Sequence, residues 1–192
     1  MARMTRSESQ KVTRQRLLEA AHELFRRDGY AATSVDRISE MAGYSKGAFY
    51  SNFAGKEAIF LEVLASQGND GLGKLLPALA DAPDIGSAID LLAEWADARS
   101  TSGNWSLTIL EHARVSAKDS ESMHRQIQII RGHWRQLGEA LVKRFPEFDT
   151  DPEALGALLH EIAYAPAITF MDSPRAGELM RLALRPLLPR VR

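Results

Sequence analysis

The sequence predicts an all-α protein, with a three-helix helix-turn-helix unit at the N-terminus and a helical body behind it, about nine helices in total. Apolar residues recur at helical spacing along the whole chain, and no run of alternating β-branched or aromatic residues is bracketed by hairpin turns. Two short capped apolar segments also meet at the Ala42-Gly43-Tyr44 turn, directly after a longer helical stretch.

The first helix is expected over about 10–28, with Leu17, Leu18, Ala21, Leu24 and Phe25 on one face and Asp28-Gly29 as its stop. Thr33 reads as the N-cap of a second helix over about 34–41, with Asp36 three residues on. Val35, Ile38 and Met41/Ala42 are expected to face inward there, and Gly43 closes the helix because it tolerates a left-handed backbone. Ser45 caps a third helix, in which Phe49 and Phe53 are buried at i and i+4. Small and polar groups are left on its other side. A helix with Gly47 and Ala48 outward can approach a surface closely, as entry into a DNA major groove requires.

Further helices are expected over about 56–77, 85–100, 104–118, 121–145, 151–171 and 174–188. Gly68, Gly71 and Gly73 weaken the far end of the fourth, and Ala82-Pro83-Asp84 separates it from the fifth. Asp151 before Pro152 and Ser173 before Pro174 read as caps that put proline at the first helical position. Pro166 interrupts the eighth helix. The expected domains are 1–55 for the helix-turn-helix with its basic arm, and 56–192 for the helical body.

Composition narrows the function. With 192 residues, 45% of them hydrophobic, the chain can bury a core, and zero Cys excludes disulfides, thiol catalysis and Cys-ligated metals. No segment approaches the roughly 18 apolar residues of a membrane span, and no export signal is visible, so a cytoplasmic protein is expected. The net charge of −1 conceals an asymmetry, because residues 1–60 carry +3 and the remainder −4. Arg3, Arg6, Lys11, Arg14 and Arg16 crowd the first sixteen residues against Glu8 alone, which suits a chain that meets nucleic acid at its N-terminus.

Enzyme signatures do not survive inspection. Gly43-Tyr44-Ser45-Lys46-Gly47 fits a hydrolase nucleophile elbow, but that elbow needs a strand running into the serine. His22-Glu23 and His160-Glu161 begin like a zinc-binding H-E-x-x-H, yet Arg26 and Tyr164 stand where the second histidine belongs. Neither catalysis, nor a metal, nor a cofactor is expected. Trp95, Trp105, Trp134, Tyr164 and Phe170, with Met123 and Met171, can line an adaptable apolar pocket in the body. The expected lining for a small-molecule effector is Trp95, Trp105, His112, Ile127, Trp134 and Tyr164.

The run TSVDRISEMAGYSKGAFYSNFAGKEAIFLEVL resembles the DNA-binding domain of TetR (tetracycline-repressor-like) transcriptional regulators. Gly43, Ser45-Lys46-Gly47, Phe49-Tyr50, Phe53 and Lys56-Glu57 carry the resemblance, which extends over about residues 10–64. It implies a regulator, in most cases a repressor, that binds double-stranded DNA at a palindromic operator and is released by a small molecule. It further implies that Thr33 and Ser34 meet a phosphate, and that Lys46, Gly47 and Ala48, with the cap Ser45, lie nearest the bases. Tyr50 and Asn52 would touch backbone or base edges, and Lys56 a phosphate. The last two helices would pair with their copies as a four-helix bundle, making a homodimer through Leu155, Leu159, Ala163, Ala167, Leu179 and Leu182. The rival reading is an interaction protein whose N-terminal unit binds a protein partner; the basic N-terminus and small-residue face favour DNA.

Overall fold

A computed structural model describes residues 5–101, 105–116, 120–169 and 172–187; Arg3, Phe170 and Met171 lie outside them. Among the described residues there are nine α-helices, one short 3-10 turn and no strand. The helices are α1 (Arg6–Ala32), α2 (Val35–Ala42), α3 (Lys46–Tyr50), α4 (Lys56–Asp81), α5 (Ile85–Ser100), α6 (Trp105–Ser116), α7 (Ser120–Arg144), α8 (Pro152–Thr169) and α9 (Ala176–Leu184). No helix is long and apolar enough to cross a membrane, among the described residues.

The chain forms two compact units, one of Met1–Ser66 and Leu107–Gln126, the other of Gln67–Ser106 and Ile127–Arg192. In the first unit α1 starts on a capping box, with the Glu8 amide donating to Thr5 Oγ1 and the Thr5 amide to Glu8 Oε2. Gly29 breaks its helical path at φ 81, where the sequence places a stop, and a last turn then resumes to Ala32. Leu17, Leu24, Phe25, Ile38, Phe49, Ile59 and Phe60 are fully buried and form the core of this unit.

Part of that core comes from far along the chain. Thr108 donates its hydroxyl to the Phe25 carbonyl at 3.0 Å, and the Ala31 amide donates to Glu111 Oε2 at 3.0 Å. The fully buried His112 ring stacks on Phe60, its centroid 4.3 Å away, and meets Tyr30 edge-on. Its nitrogens face the Gln126 amide oxygen and the Ser116 hydroxyl.

The second unit packs α5, α8 and α9 with the remainder of α4 and α7 around Leu79, Leu92, Leu137, Leu141, Leu159 and Met180. Helices α7 and α8 meet at backbone distance. A Cβ on Gly138 would collide with the Pro152 carbonyl, and one on Gly156 with the Trp134 carbonyl. The small residue Gly156 therefore serves packing inside the chain.

Two cap assignments differ from the sequence reading. Ser34, not Thr33, caps α2, because Thr33 terminates α1 and its buried hydroxyl donates to the Gly29 carbonyl at 2.7 Å. At α9 the start falls at Ala176 behind Arg175, whose amide donates to Glu178 Oε2, so Pro174 stays outside the helix. A first-turn glutamate outweighs an isolated Ser-Pro as a start signal because it satisfies an amide directly. Asp151 does cap α8, accepting from the Ala154 amide at 2.7 Å, and Pro166 falls in the last turn of that helix.

Candidate nucleic-acid interface

The interface is built from two short helices whose starts are both capped by serine. The Arg37 amide donates to Ser34 Oγ and the Ala48 amide to Ser45 Oγ, each at 3.2 Å. Between the helices Gly43 adopts φ 75, ψ 31, which lets its amide reach the Glu40 carbonyl while the Tyr44 amide reaches that of Ser39. This left-handed residue sets the angle between α2 and α3.

Phe49 and Phe53 lie 5.7 Å apart beneath α3, both buried, and anchor it. Its outer side carries Ser45, Lys46 and Gly47, all exposed, with Ala48 half-buried and Tyr50 57% exposed. Tyr50 leans edge-on against Phe49, which orients its ring without covering it. The helix proper is short, ending at Tyr50. Beyond it the Asn52 amide nitrogen donates to the Ala48 carbonyl at 2.8 Å, and the Ser51 hydroxyl to that of Gly47.

The cations of this surface are held by neighbours. Lys46 Nζ pairs with Asp36 Oδ1 at 2.6 Å, both side chains exposed, so the pair is weak and exchangeable. Lys56 donates to the Tyr30 carbonyl at 2.9 Å and lies 4.1 Å over the Tyr30 ring. Partial burial lowers its pKa, and the Glu111 carboxylate opposes that shift. Arg37 spans from Asp28 Oδ2 to the Ala32 carbonyl, joining the end of α1 to α2. Bonds from the Arg27 guanidinium, and then from Arg37, hold the Asp28 carboxyl at about 2.

Thr33 is buried beside the exposed Ser34. Reading the sequence missed Asp36 and Arg37 as partners of the surface, and missed the support α4 receives at its start. There Glu57 accepts from the Ser116 hydroxyl at 2.9 Å and lies near His112. Ser116 lies 59 positions from Glu57 and Glu111 lies 80 from Ala31, and no local pattern encodes such pairings.

The remaining candidates divide between the units. His112 belongs to the core of the first, whereas Trp95, Trp105, Ile127, Trp134 and Tyr164 belong to the second. Trp95 and Trp105 are buried, Trp134 and Tyr164 half-buried and Ile127 exposed. Of the residues expected to pair across a two-fold axis, Leu155, Leu159 and Ala163 lie in the core of the second unit. Ala167 and Leu179 are half-buried, and Leu182 is 65% exposed. The outward face of α8 is instead Leu158, Glu161, Ala165 and Ile168. Among the described residues no group of three His, Asp or Glu side chains could hold a metal.

Residues 17–63, which span this whole arrangement, match the family model of bacterial regulatory proteins of the tetR family. The HTH-type transcriptional repressor AcnR of Corynebacterium diphtheriae is 25% identical over 172 residues, which cover 90% of this chain and 82% of that protein. The HTH-type regulator TtgW of Pseudomonas putida is 43% identical over 67 residues, which cover 35% of this chain and about half, 49%, of that relative. A solved regulator from Rhodococcus sp. RHA1 has the same fold, with a TM-score of 0.71 at 16% identity, over 92% of this chain and 95% of that one. The chain thus carries the DNA-binding domain of the tetR family at residues 17–63, aligns with a repressor over nine-tenths of its length, and is a DNA-binding regulator of transcription.

Proposed function

We propose that the protein is a homodimeric, cytoplasmic repressor that holds an inverted-repeat operator through two copies of α3 and releases it when a small molecule occupies the second unit. It regulates without catalysing a reaction. The observation that carries the reading is the outer face of α3, where exposed Lys46, Gly47 and Tyr50 stand on a base of buried Phe49 and Phe53. Gly47 lets the backbone approach base edges, Lys46 supplies donors for guanine acceptors, and Tyr50 reaches the sugar-phosphate backbone or a thymine methyl. Ser34 and Ser45 lie at helix starts, where amides favour a phosphate. Thr33, being buried, supports Ser34 from behind, Ala48 and Asn52 shape the same face, and Lys56 adds positive charge beside it.

The exposed apolar side chains Leu158, Ile168 and Leu182 support association of two copies. A two-fold dimer presents two equivalent recognition helices about 34–36 Å apart, one turn of DNA. Selection from random duplexes at low salt should therefore enrich an inverted repeat with half-sites spaced by about one turn or a modest departure from it. Failure to enrich any inverted repeat overturns the reading.

A further inference from the structure

We infer that the second unit takes an amphipathic organic acid, its carboxylate held by Arg99 and Trp95 and its apolar portion lying in the groove between α4 and α5. This deepens the small-molecule reading above and rests on it.

The groove is open to solvent and offers about 820 Å³, within the range of small-molecule pockets, and Leu75, Ala78, Leu91 and Trp95 give it apolar walls. Trp95 and Arg99 stand one helical turn apart on α5 and both line it. Behind Trp95 lies His160, the ring centroids 5.3 Å apart, and Tyr164 stacks on His160 in turn. Two polar atoms of this cluster are buried and lack a hydrogen-bond partner, Trp95 Nε1 and His160 Nε2, on side chains each only 8% exposed. A buried donor left unmade is costly, so an acceptor supplied from outside would be strongly favoured.

The sign of the charge here selects the acceptor. Arg99 lies beside the Tyr164 hydroxyl, and Arg99 and His133 are the charged groups acting on His160. Burial first, then the electrostatic influence of His133 and of Arg99, lowers the His160 pKa to about 3, so its ring is neutral at neutral pH. An indole donor and a guanidinium one helical turn apart on the same groove suit an anionic oxygen, and the guanidinium repels an ammonium. Asp70, Lys74 and Glu94 also line the groove, so the acid must lie against Arg99 rather than against the two carboxylates.

The helix opposite is shaped to admit these side chains. A Cβ on Gly68 would collide with the His133 ring, and one on Gly71 with the Arg99 guanidinium. Both glycines stand inside α4, where each costs about 1 kcal/mol relative to alanine. One face of α4, at i and i+3, is thus bare where His133 and Arg99 lie flat against it.

Decanoate and 4-phenylbutyrate, their neutral primary amides, and decylammonium are titrated into the full-length protein by calorimetry. At least one acid should bind about tenfold or more tightly than its amide, as expected for a hydrogen bond to a charged group. Arg99→Gln should abolish that difference, Arg99→Lys should restore part of it, and Trp95→Phe, which keeps a ring without its donor, should weaken the acid several-fold. If Arg99→Gln fails to fold, judged by its thermal melt, Trp95→Phe and Arg99→Lys carry the test. Acids binding no tighter than their amides, a preference for decylammonium, or wild-type binding by the folded variants would overturn the inference. Operator release is measured separately: an acid that binds as expected yet leaves the operator occupied supports the site and overturns release by this ligand.

Discussion

On the surface proposed to meet DNA, Lys46 already has an acid attached. Its partner Asp36 is exposed, and such a pair is worth about 0.2–1 kcal/mol, so phosphate or guanine can displace it at small expense. Asp36→Asn should therefore tighten operator binding by up to about fivefold, and Lys46→Ala should weaken the best operator by about 1–3 kcal/mol, with less effect on duplexes altered in the half-site. Fluorescence anisotropy on single-base operator variants reads both; equal losses on every duplex would reduce Lys46 to a phosphate contact. Lys46 and Tyr50 could be placed from the sequence because i and i+4 aromatics determine which side of a short helix is outward. The involvement of Lys56 with the Tyr30 carbonyl could not, because it joins residues 26 positions apart. His160 is a second case. With its pKa lowered to about 3, the folded protein keeps the ring neutral while the unfolded chain protonates near 6.5. That contribution to stability is present above pH 6.5 and is lost as the pH falls, by about 2 kcal/mol at pH 5. Urea midpoints at pH 7.5 and 5 should fall more steeply for the wild type than for His160→Leu; parallel slopes would place the proton elsewhere.

At the scale of helices, agreement follows the strength of the local signal. The fifth helix has an Asp84 cap that accepts from the Ser87 amide at 2.8 Å, and its ends coincide with those read from the sequence, Ile85–Ser100. The ninth lacks such a side-chain cap before it and begins two residues later than Pro174 suggests. The wide apolar face of α8 shows the limit of periodicity. Leu155, Leu159 and Ala163 turn inward and Leu158, Ala165 and Ile168 outward, but both rows are apolar, so spacing alone cannot rank them. What ranks them is α7, against which Gly156 packs. Gly138→Ala and Gly156→Ala should each destabilise the protein by about 1–3 kcal/mol through overpacking of one backbone on another, read as a lower urea midpoint. Unchanged midpoints would mean that the two helices separate freely.

For the whole molecule the test concerns assembly. Leu158→Glu and Leu182→Glu alter exposed side chains, so they should leave the fold intact while opposing association. The double variant should sediment as a monomer, and its operator affinity should fall with its loss of the second half-site. A dimer that persists would move the two-fold interface to another surface. Ala163→Arg is the informative contrast. It places a charge in the core of the second unit and should reduce folding yield whether or not the protein dimerises.

The sequence by itself determined the helical class, the capped helix-turn-helix and the side of α3 that faces outward, because each depends on groups within a few residues of one another. Propensity, caps, left-handed glycine and aromatic spacing act at that range. The tertiary structure alone decided that Thr108, Glu111 and His112 complete the N-terminal unit, which row of α8 is core, and that Trp95, Arg99, His133, His160 and Tyr164 gather in the second unit. Those groupings join different helices, and the free energy that selects among the ways helices can pack comes from the fit of whole faces, a quantity no segment of the chain carries alone.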